Sequence, residues 1–472
     1  MIAHRHRERG ACRLRGITAV AVLAVASLGH ALPIELKDQN GTKYWVNTDV
    51  DPLEDLSNAS GALTNATYVK PVTVTSYFVG FTPFFGFATV YTVQRQVDIP
   101  LTNAFAGFNG LAITSVGGTP LPAPRIYNPG EPLAAEECEQ NGANRQLVFP
   151  TQTFTAPSLA VSRKVFVPSN GDFVRWMNVV TNTGAAPVEV GISLRGLLGS
   201  GSDTSIVATS TGGSSLGASV QWFTTAQMLP GNVQSDQPRL GFVVQGPGAV
   251  SPPTSVGINS AGQAAFTWTP TIAAGGTAIV MTFSTVQGSS KQAKNTVENL
   301  VDLDAKSINC LSEAELSQVV NFAPITPPQF KSATIELKFK KTGADTIQWK
   351  GKLTVAEGVS LAGLPVTVDV GGVQQAFVLD KQGKANDGNG NKFALNASLK
   401  NGVTKAGTYK FTFHLKGDFQ TALADYGLVD ASEKNVPVTL PVVFDAGPGA
   451  YATSQAFTYK ATQGKSGTAT GS

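Results

Sequence analysis

The chain has 472 residues, of which 35 are Lys or Arg and 32 are Asp or Glu. Five arginines and one glutamate lie in the first 31 residues, so the remainder carries 30 basic and 31 acidic residues, a net charge of −1. This balance lacks the positive excess that a nucleic-acid partner requires. Of the four histidines only His414 lies beyond residue 31, which excludes zinc sites rich in histidine and nucleophiles that depend on a histidine base.

The first 31 residues have the pattern of an export signal. Arginines between Arg5 and Arg15 precede an apolar run at 17–29, and small residues follow at Gly29 and Ala31. The run is shorter than the roughly 20 residues that span a bilayer, although a single-pass anchor is the alternative. We therefore predict a Sec-type signal peptide, 1–31, cleaved near Ala31, and a protein that is secreted, periplasmic or on the cell surface. No later run is long and apolar enough for a transmembrane segment.

Short runs rich in Val, Thr, Phe and Tyr, bounded by Gly, Pro, Asn and Ser, recur along the rest of the chain and predict an all-β fold. A proline-rich connector at 323–329 separates two parts of different composition. The first, 32–322, carries 7 Arg, 7 Lys and 20 acids, whereas the part from 328 to 472 carries 16 Lys, no Arg and 11 acids. We predict a large β-sandwich over 32–322, an immunoglobulin-like β-sandwich over 330–462 and a disordered tail, 463–472.

The first sandwich ends in a predicted short helical tail. Residues Ala293, Val297 and Leu300 have helical spacing, and Ser312 with Glu315 forms a capping-box pattern. Cys310 lies between these two segments, and Cys138 is the other cysteine beyond the signal. An even pair in an exported chain favours a disulfide, with two free buried thiols as the alternative.

A hairpin in the first sandwich is a candidate ligand site. With a turn at 168–172, Val165 would face Arg175, and Arg163 and Arg175 would be diagonal neighbours on one apolar face. Together with Trp176 and Asp203, they would form a groove for a carboxylate or a glycan. The structural alternative pairs the arginines with acids such as Asp172 or Asp203 and packs their stems as part of the sandwich wall.

Acidic residues form further candidate sites for metal binding or catalysis. Asp49, Asp51, Glu54 and Asp55 form a cluster that is either a surface loop or a calcium site. The segment 386–393 also has alternate oxygen ligands but lacks the glycine and the final acid of a calcium loop, which favours a hairpin turn. A carboxylate pair for glycoside hydrolysis could lie among the 20 acids of the first part. A catalytic serine at "GSSLG" (213–217) has no histidine within its own part of the chain.

Segments of the first part resemble a module of exported bacterial surface proteins: "VSRKVFVPSNGDFVRWMNVVTNTGAAPVEV", "QWFTTAQ", "PRLGFVVQGPG" and "LSEAELSQVVNF". The first of them also resembles, more loosely, galactose-mutarotase-like β-supersandwich domains, which implies a sheet that faces carbohydrate. That family works with histidines, and the first part has none, so the resemblance does not imply mutarotase activity. The second part resembles immunoglobulin-like sandwiches appended to exported proteins.

These observations predict an exported, non-enzymatic protein for adhesion, envelope structure or glycan binding, with a glycan or a cell-surface protein as partner and no nucleic acid. The alternatives are a carboxylate-based glycan-active enzyme and a calcium-dependent adhesion module. No cofactor is expected, and calcium is the alternative.

Overall fold

Antiparallel strands dominate the structure, a computed structural model that describes residues 32–50, 59–81, 88–133, 138–140, 143–155, 158–231, 233–446 and 449–471. The all-β prediction is confirmed. No helix in these ranges is long and apolar enough to cross a membrane. The predicted signal peptide lies outside them.

The elements are numbered in chain order. The strands before the helical segment are β1 (Ile34–Lys37), β2 (Lys43–Val46), β3 (Leu63–Phe81), β4 (Ala88–Leu101), β5 (Gly110–Val116), β6 (Thr119–Ile126), β7 (Glu139–Gln140), β8 (Ala143–Asn144), β9 (Gln146–Thr155), β10 (Ser158–Phe166), β11 (Val174–Asn182), β12 (Val188–Leu197), β13 (Thr204–Thr209), β14 (Trp222–Leu229), β15 (Val233–Gln234), β16 (Arg239–Val243), β17 (Ser255–Ile258), β18 (Gln263–Trp268), β19 (Thr271–Ile272) and β20 (Thr277–Gln287). The helices are α1 (Ser290–Leu300), α2 (Ala305–Ile308), α3 (Glu313–Gln318) and α4 (Gln420–Ala424). The later strands are β21 (Ile325–Thr326), β22 (Gln329–Leu337), β23 (Asp345–Val355), β24 (Pro365–Val370), β25 (Val373–Val378), β26 (Lys384–Asn386), β27 (Lys392–Asn396), β28 (Leu399–Lys400), β29 (Val403–Thr404), β30 (Gly407–Gly417), β31 (Glu433–Ala446), β32 (Gly449–Thr462) and β33 (Ser466–Gly471).

Two sheets form the first sandwich. The larger has the order β13-β14-β16-β20-β11-β10-β9, with β15 beside β14, and the smaller has the order β17-β18-β12-β5-β6, with β19 beside β12. Strand β10 alternates buried and partly buried residues, so that Val161 and Val165 point into a core that also holds Phe108 and Phe266. At its centre Trp176 packs edge-on against Phe108, with 5.9 Å between ring centroids. Strands β1 to β4 form a separate sheet in the same part of the chain.

The helical tail covers the other face of the larger sheet. As predicted, Ala293, Val297 and Leu300 are buried on one side of α1, and Ser289 caps the helix by accepting the N–H of Gln292. The predicted capping box of Ser312 and Glu315 is present at α3. Because the larger sheet is buried on both faces, the central strand β11 is buried at almost every residue rather than at alternate ones.

The second sandwich is one long curled sheet with the order β25-β24-β31-β32-β33-β22-β23-β30-β27-β26. Strand β23 alternates strictly, so that Ile347, Trp349 and Leu353 point inward. Phe411, Phe413 and Leu415 share the inner face of β30, as their spacing predicts, and are all buried. The segment 386–393 joins β26 to β27 as a hairpin, also as predicted.

The helical tail also packs against the second sandwich, and the described residues from Leu32 onward belong to one compact unit. The Ala305 N–H donates to Asp369 Oδ2 at 3.1 Å, and the Thr453 hydroxyl donates to Glu313 Oε1 at 2.6 Å. The connector is attached as well, because β21 pairs in parallel with β32. The division into two domains remains a prediction, although each sandwich has its own core.

The tail 463–472 was expected to be disordered, and this expectation is wrong. Residues Ser466–Gly471 form β33, which lies between β22 and β32 and pairs with both. Ala469 is fully buried in the core of the second sandwich. The tail has few large apolar residues, so its composition resembles that of a flexible terminus. Its backbone nevertheless forms hydrogen bonds with the edges of β22 and β32, which would otherwise be unpaired there.

Candidate functional site

The hairpin of β10 and β11 pairs one residue away from the expected register. Phe166 lies opposite Arg175, and Val165 lies opposite Trp176 instead of Arg175. A shift of one residue turns the side chains of a strand to the other face of the sheet. Arg163 therefore points into the first sandwich and Arg175 toward the helices, so the prediction that they are diagonal neighbours on one face is wrong.

Arg163 is fully buried and bonded to two loops. Its Nη2 donates to the side-chain and main-chain oxygens of Asn109, and its Nη1 donates to the carbonyl of Ser60 at 3.4 Å. Asn109 adopts a left-handed conformation, φ 69°, which asparagine tolerates better than most residues. Burial lowers the pKa of Arg163. The side chain holds these loops together and offers no open surface to a ligand.

Arg175 is equally buried, on the opposite side of the sheet. Its Nη1 donates to the carbonyls of Ser307 and Asn309 at 2.6 and 2.8 Å, and its Nη2 donates to Gln146 Oε1 at 3.0 Å. The guanidinium also lies over the ring of Phe166, 4.5 Å from its centroid. Arg175 thus fastens the turn after α2 to the larger sheet.

The other residues of the predicted groove do not assemble with these arginines. Trp176 is buried, and its Nε1 donates to the carbonyl of Gly61 at 2.9 Å. Asp203 is exposed in a short turn, Gly201–Asp203. The carboxylate of Asp172 accepts from Gln287 Nε2 and Thr296 Oγ1 rather than from an arginine. The groove built on Arg163, Arg175, Trp176 and Asp203 is therefore absent from this surface, and so are the predicted arginine–acid pairs.

The predicted calcium cluster is only partly described. Asp49 Oδ1 accepts the N–H of Val50 at 2.8 Å, whereas Asp51, Glu54 and Asp55 lie outside the described residues. Within the described ranges, no three His, Cys, Asp or Glu side chains are grouped to hold a metal ion. The calcium alternative remains a prediction.

Cys138 and Cys310 form a disulfide, with 5.7 Å between their Cα atoms, as predicted. The bond joins the segment just before β7 to the turn between α2 and α3. It therefore fastens the helical tail to the first sandwich close to Arg175.

Two acids of the first part of the chain lie close enough for their charges to interact: Asp38, in the turn between β1 and β2, and Asp172, in the turn before β11. Asp38 is 6 % exposed, and its Oδ1 accepts the N–H groups of Asn40 and Thr42, both at 2.9 Å. Burial, with a smaller contribution from the charge of Asp172, raises the pKa of Asp38 to about 7. Because both carboxylates serve internal hydrogen bonds, they give no support to the glycoside-hydrolysis alternative.

Asp38 should make the stability of the protein pH-dependent. A carboxyl whose pKa is higher in the folded than in the unfolded state contributes stability that is fully present at a pH below its unfolded pKa. This stability is lost as the pH rises through the folded pKa of about 7. Asp38→Asn keeps the side-chain oxygen that closes the turn but does not titrate. Between pH 4 and 7 the unmodified protein should lose up to about 1.4 kcal/mol of its free energy of unfolding per pH unit through Asp38, and the variant should not show this loss. Urea unfolding at pH 5 and pH 8 checks this. An unchanged pH dependence in the variant would contradict it.

A different surface has the features of a binding site. A groove of 740 Å³ lies on the second sandwich, lined by residues of β23, β25, β26, β27 and β30 and of the loop after β25. Three lysines, Lys350, Lys384 and Lys392, surround it together with His414 and Asp380. We call this the lysine groove.

Strand register explains the shape of the lysine groove. Neighbouring strands place outward residues in rows. One row runs from Lys350 on β23 to Lys384 on β26, with Thr412 and Ala394 between them. The short side chains of Thr412 and Ala394 form the floor of the groove, and the long side chains of Lys350 and Lys384 form its walls. The two lysines are three strand spacings apart, about 14 Å. The adjoining rows are Gln348, His414, Lys392 and Asn386 on one side, and Lys352, Lys410 and Asn396 on the other.

The groove is positively charged and lies on a regular sheet. Lys350, Lys384 and Lys392 are exposed, and none of them forms an ion pair with a described residue. The carboxylate of Asp380 accepts the main-chain N–H groups of Lys384 and Gln382, and these hydrogen bonds lower its pKa together with the charges of Lys384 and Lys381. His414 Nδ1 lies 2.9 Å from the carbonyl of Gly390, which fixes the ring. The arrangement can hold an anion without rearranging the sheet beneath it.

The sequence contains part of this signal. Alternation places Gln348, Lys350 and Lys352 on one face of β23, and His414 outward with Lys410 and Lys416 on β30. The local pattern, however, does not say that β23 pairs with β30, some 60 positions later. Only that pairing brings the lysines together.

The fold and this groove define an all-β protein with a cationic surface site. Neither a family model nor a curated protein matches the sequence. Among solved structures, a polysaccharide lyase has a TM-score of 0.30 and 10 % identity over 89 % of this chain, which spans 46 % of that protein. A candidate aldose 1-epimerase from Klebsiella pneumoniae has a TM-score of 0.20 and 11 % identity over 61 % of this chain and all of that protein. Both similarities are too weak to assign a function.

Proposed function

We propose that the protein is a non-enzymatic extracellular carbohydrate-binding protein that holds acidic glycans in the lysine groove, in adhesion or in envelope structure. The observation that carries the proposal is the set of three exposed lysines, without ion pairs, around a groove on a regular sheet. Exposed ammonium groups that are not held in ion pairs attract carboxylate or sulfate groups. Amide and hydroxyl groups at Gln348, Asn386 and Thr412 can hydrogen-bond to sugar hydroxyls.

Two further observations agree with the proposal. The described lining of the groove contains one carboxylate, Asp380, whereas glycoside hydrolysis ordinarily uses two. The disulfide suits an oxidising compartment outside the cytoplasm, which supports export by the predicted signal peptide.

Replacing the three groove lysines with serine tests the proposal. We expect the protein from residue 32 onward to bind polygalacturonate or heparin but not uncharged dextran, with and without EDTA. The variant Lys350→Ser/Lys384→Ser/Lys392→Ser should lose at least roughly tenfold in affinity, about 1.4 kcal/mol. Isothermal titration or a glycan array measures the binding.

The matched control is Lys341→Ser/Lys460→Ser/Lys465→Ser, which removes the same charge from exposed positions of the same sandwich outside the groove. This control should bind nearly as well as the unmodified protein. Equal losses in the two variants would show only a general effect of net charge and would refute the groove. Binding that requires calcium would favour the calcium-dependent alternative instead.

A further inference from the structure

The lysines of this sheet extend beyond the groove. Lys352 and Lys410 lie directly opposite each other on β23 and β30, in the row after the one that holds Lys350. At the other end, Lys416 lies opposite Thr346. Lys410 and Lys416 are six residues apart on β30, which corresponds to about 20 Å in an extended strand.

This line of charge adjoins the groove along β23 and β30. Lys410 and Lys352 are exposed, and neither they nor Lys416 form an ion pair with a described residue. The acid on the neighbouring strand β22, Glu336, is engaged by Lys338 at 3.1 Å. A ligand with a single negative charge would therefore leave most of the lysines unused.

We infer that the ligand of the lysine groove is a linear polyanionic glycan, bound within its chain along β30, with its repeated carboxylate or sulfate groups contacting Lys352, Lys410 and Lys416 as well as the groove. This inference rests on the proposed function and specifies its ligand. Spaced ammonium groups on one rigid face bind a repeating polyanion cooperatively, because each further contact is made without a further loss of translational freedom.

The chemistry of the face favours a glycan over a nucleic acid. The part of the chain from 328 to 472 contains no arginine, the residue best suited to bidentate contacts with phosphate. Trp349, Phe393 and Phe413 line the groove but are buried in the core, so they do not offer ring faces on which bases could stack.

A length series of oligogalacturonates, from the monomer upward, tests the inference by isothermal titration. We expect affinity to rise at least roughly tenfold from monomer to long oligomers and to level off once the oligomer covers the lysine line. Lys352→Ser/Lys410→Ser should abolish most of this gain, and it should weaken the binding of short oligomers much less than replacement of the three groove lysines does. It should also reduce the slope of log affinity against log salt concentration.

The outcomes separate the inference from the proposed function. If the monomer binds as tightly as the long oligomers, and the groove lysines are still required, the linear-polymer inference is overturned and the proposed function stands. If no acidic glycan of any length binds, both fail. Single-stranded DNA or phosphatidylserine vesicles that bind more tightly than the oligomers, with the same dependence on Lys352 and Lys410, would overturn the glycan as the ligand class.

Discussion

Arg175→Met is expected to lower the free energy of unfolding by about 3–5 kcal/mol. Removing a buried charge also removes the free-energy cost of its desolvation. A hydrophobic replacement can therefore leave stability unchanged when the partner of the charge is replaced as well. Here the partners remain. The carbonyls of Ser307 and Asn309 and the side-chain oxygen of Gln146 all lose their donor in a buried setting. The unpaired acceptors should therefore outweigh the relief.

Urea unfolding, with Arg125→Met as control, checks this expectation. Arg125 lies on β6 and is exposed, so its replacement should cost less than about 0.5 kcal/mol. Arg175→Lys should be intermediate, since an ammonium cannot reproduce the planar fork that reaches three acceptors. Equal stabilities for Arg175→Met and Arg125→Met would show that the hydrogen bonds of Arg175 contribute nothing net.

Loss of the disulfide is expected to cost about 2–5 kcal/mol. Cys138 and Cys310 are 172 positions apart, and closing so long a loop removes much conformational freedom from the unfolded chain. Cys138→Ala/Cys310→Ala, compared with the unmodified protein in the absence of reductant, measures the loss. Adding dithiothreitol should destabilise the unmodified protein by a similar amount and leave the variant unchanged. A variant as stable as the oxidised protein would contradict the expectation.

The disulfide and Arg175 should not act independently. Arg175 bonds the carbonyl of Asn309, the residue before Cys310, and Cys310 itself adopts a left-handed conformation with φ 62°. Both features hold the same turn against the larger sheet. A double-mutant cycle should therefore show coupling of about 0.5–3 kcal/mol, and strictly additive effects would argue that the two fasten the turn separately.

Much of the secondary structure and one long-range bond could be predicted from the sequence. The all-β class follows from recurrent short apolar runs, and the buried face of α1 follows from the spacing of Ala293, Val297 and Leu300. The capping box at Ser312 needs only residues three positions apart. The Cys138–Cys310 bond was the favoured interpretation, with two free thiols as the alternative, because these are the two cysteines that follow the predicted signal peptide. Each of these depends on local pattern or on simple counting.

The candidate site, in contrast, was decided by tertiary structure. The sheet faces on which Arg163 and Arg175 lie depend on the pairing register of β10 and β11, which differs by one residue from the predicted register. A single step exchanges the two faces of a strand, so hydrophobic pattern alone could not settle a hairpin that is buried on both sides. The lysine groove and the order of the tail depend on which distant strands become neighbours, as β23 does with β30 and β33 does with β22. Local pattern determines which side chains point outward, but only the packing of the whole chain determines which of them meet.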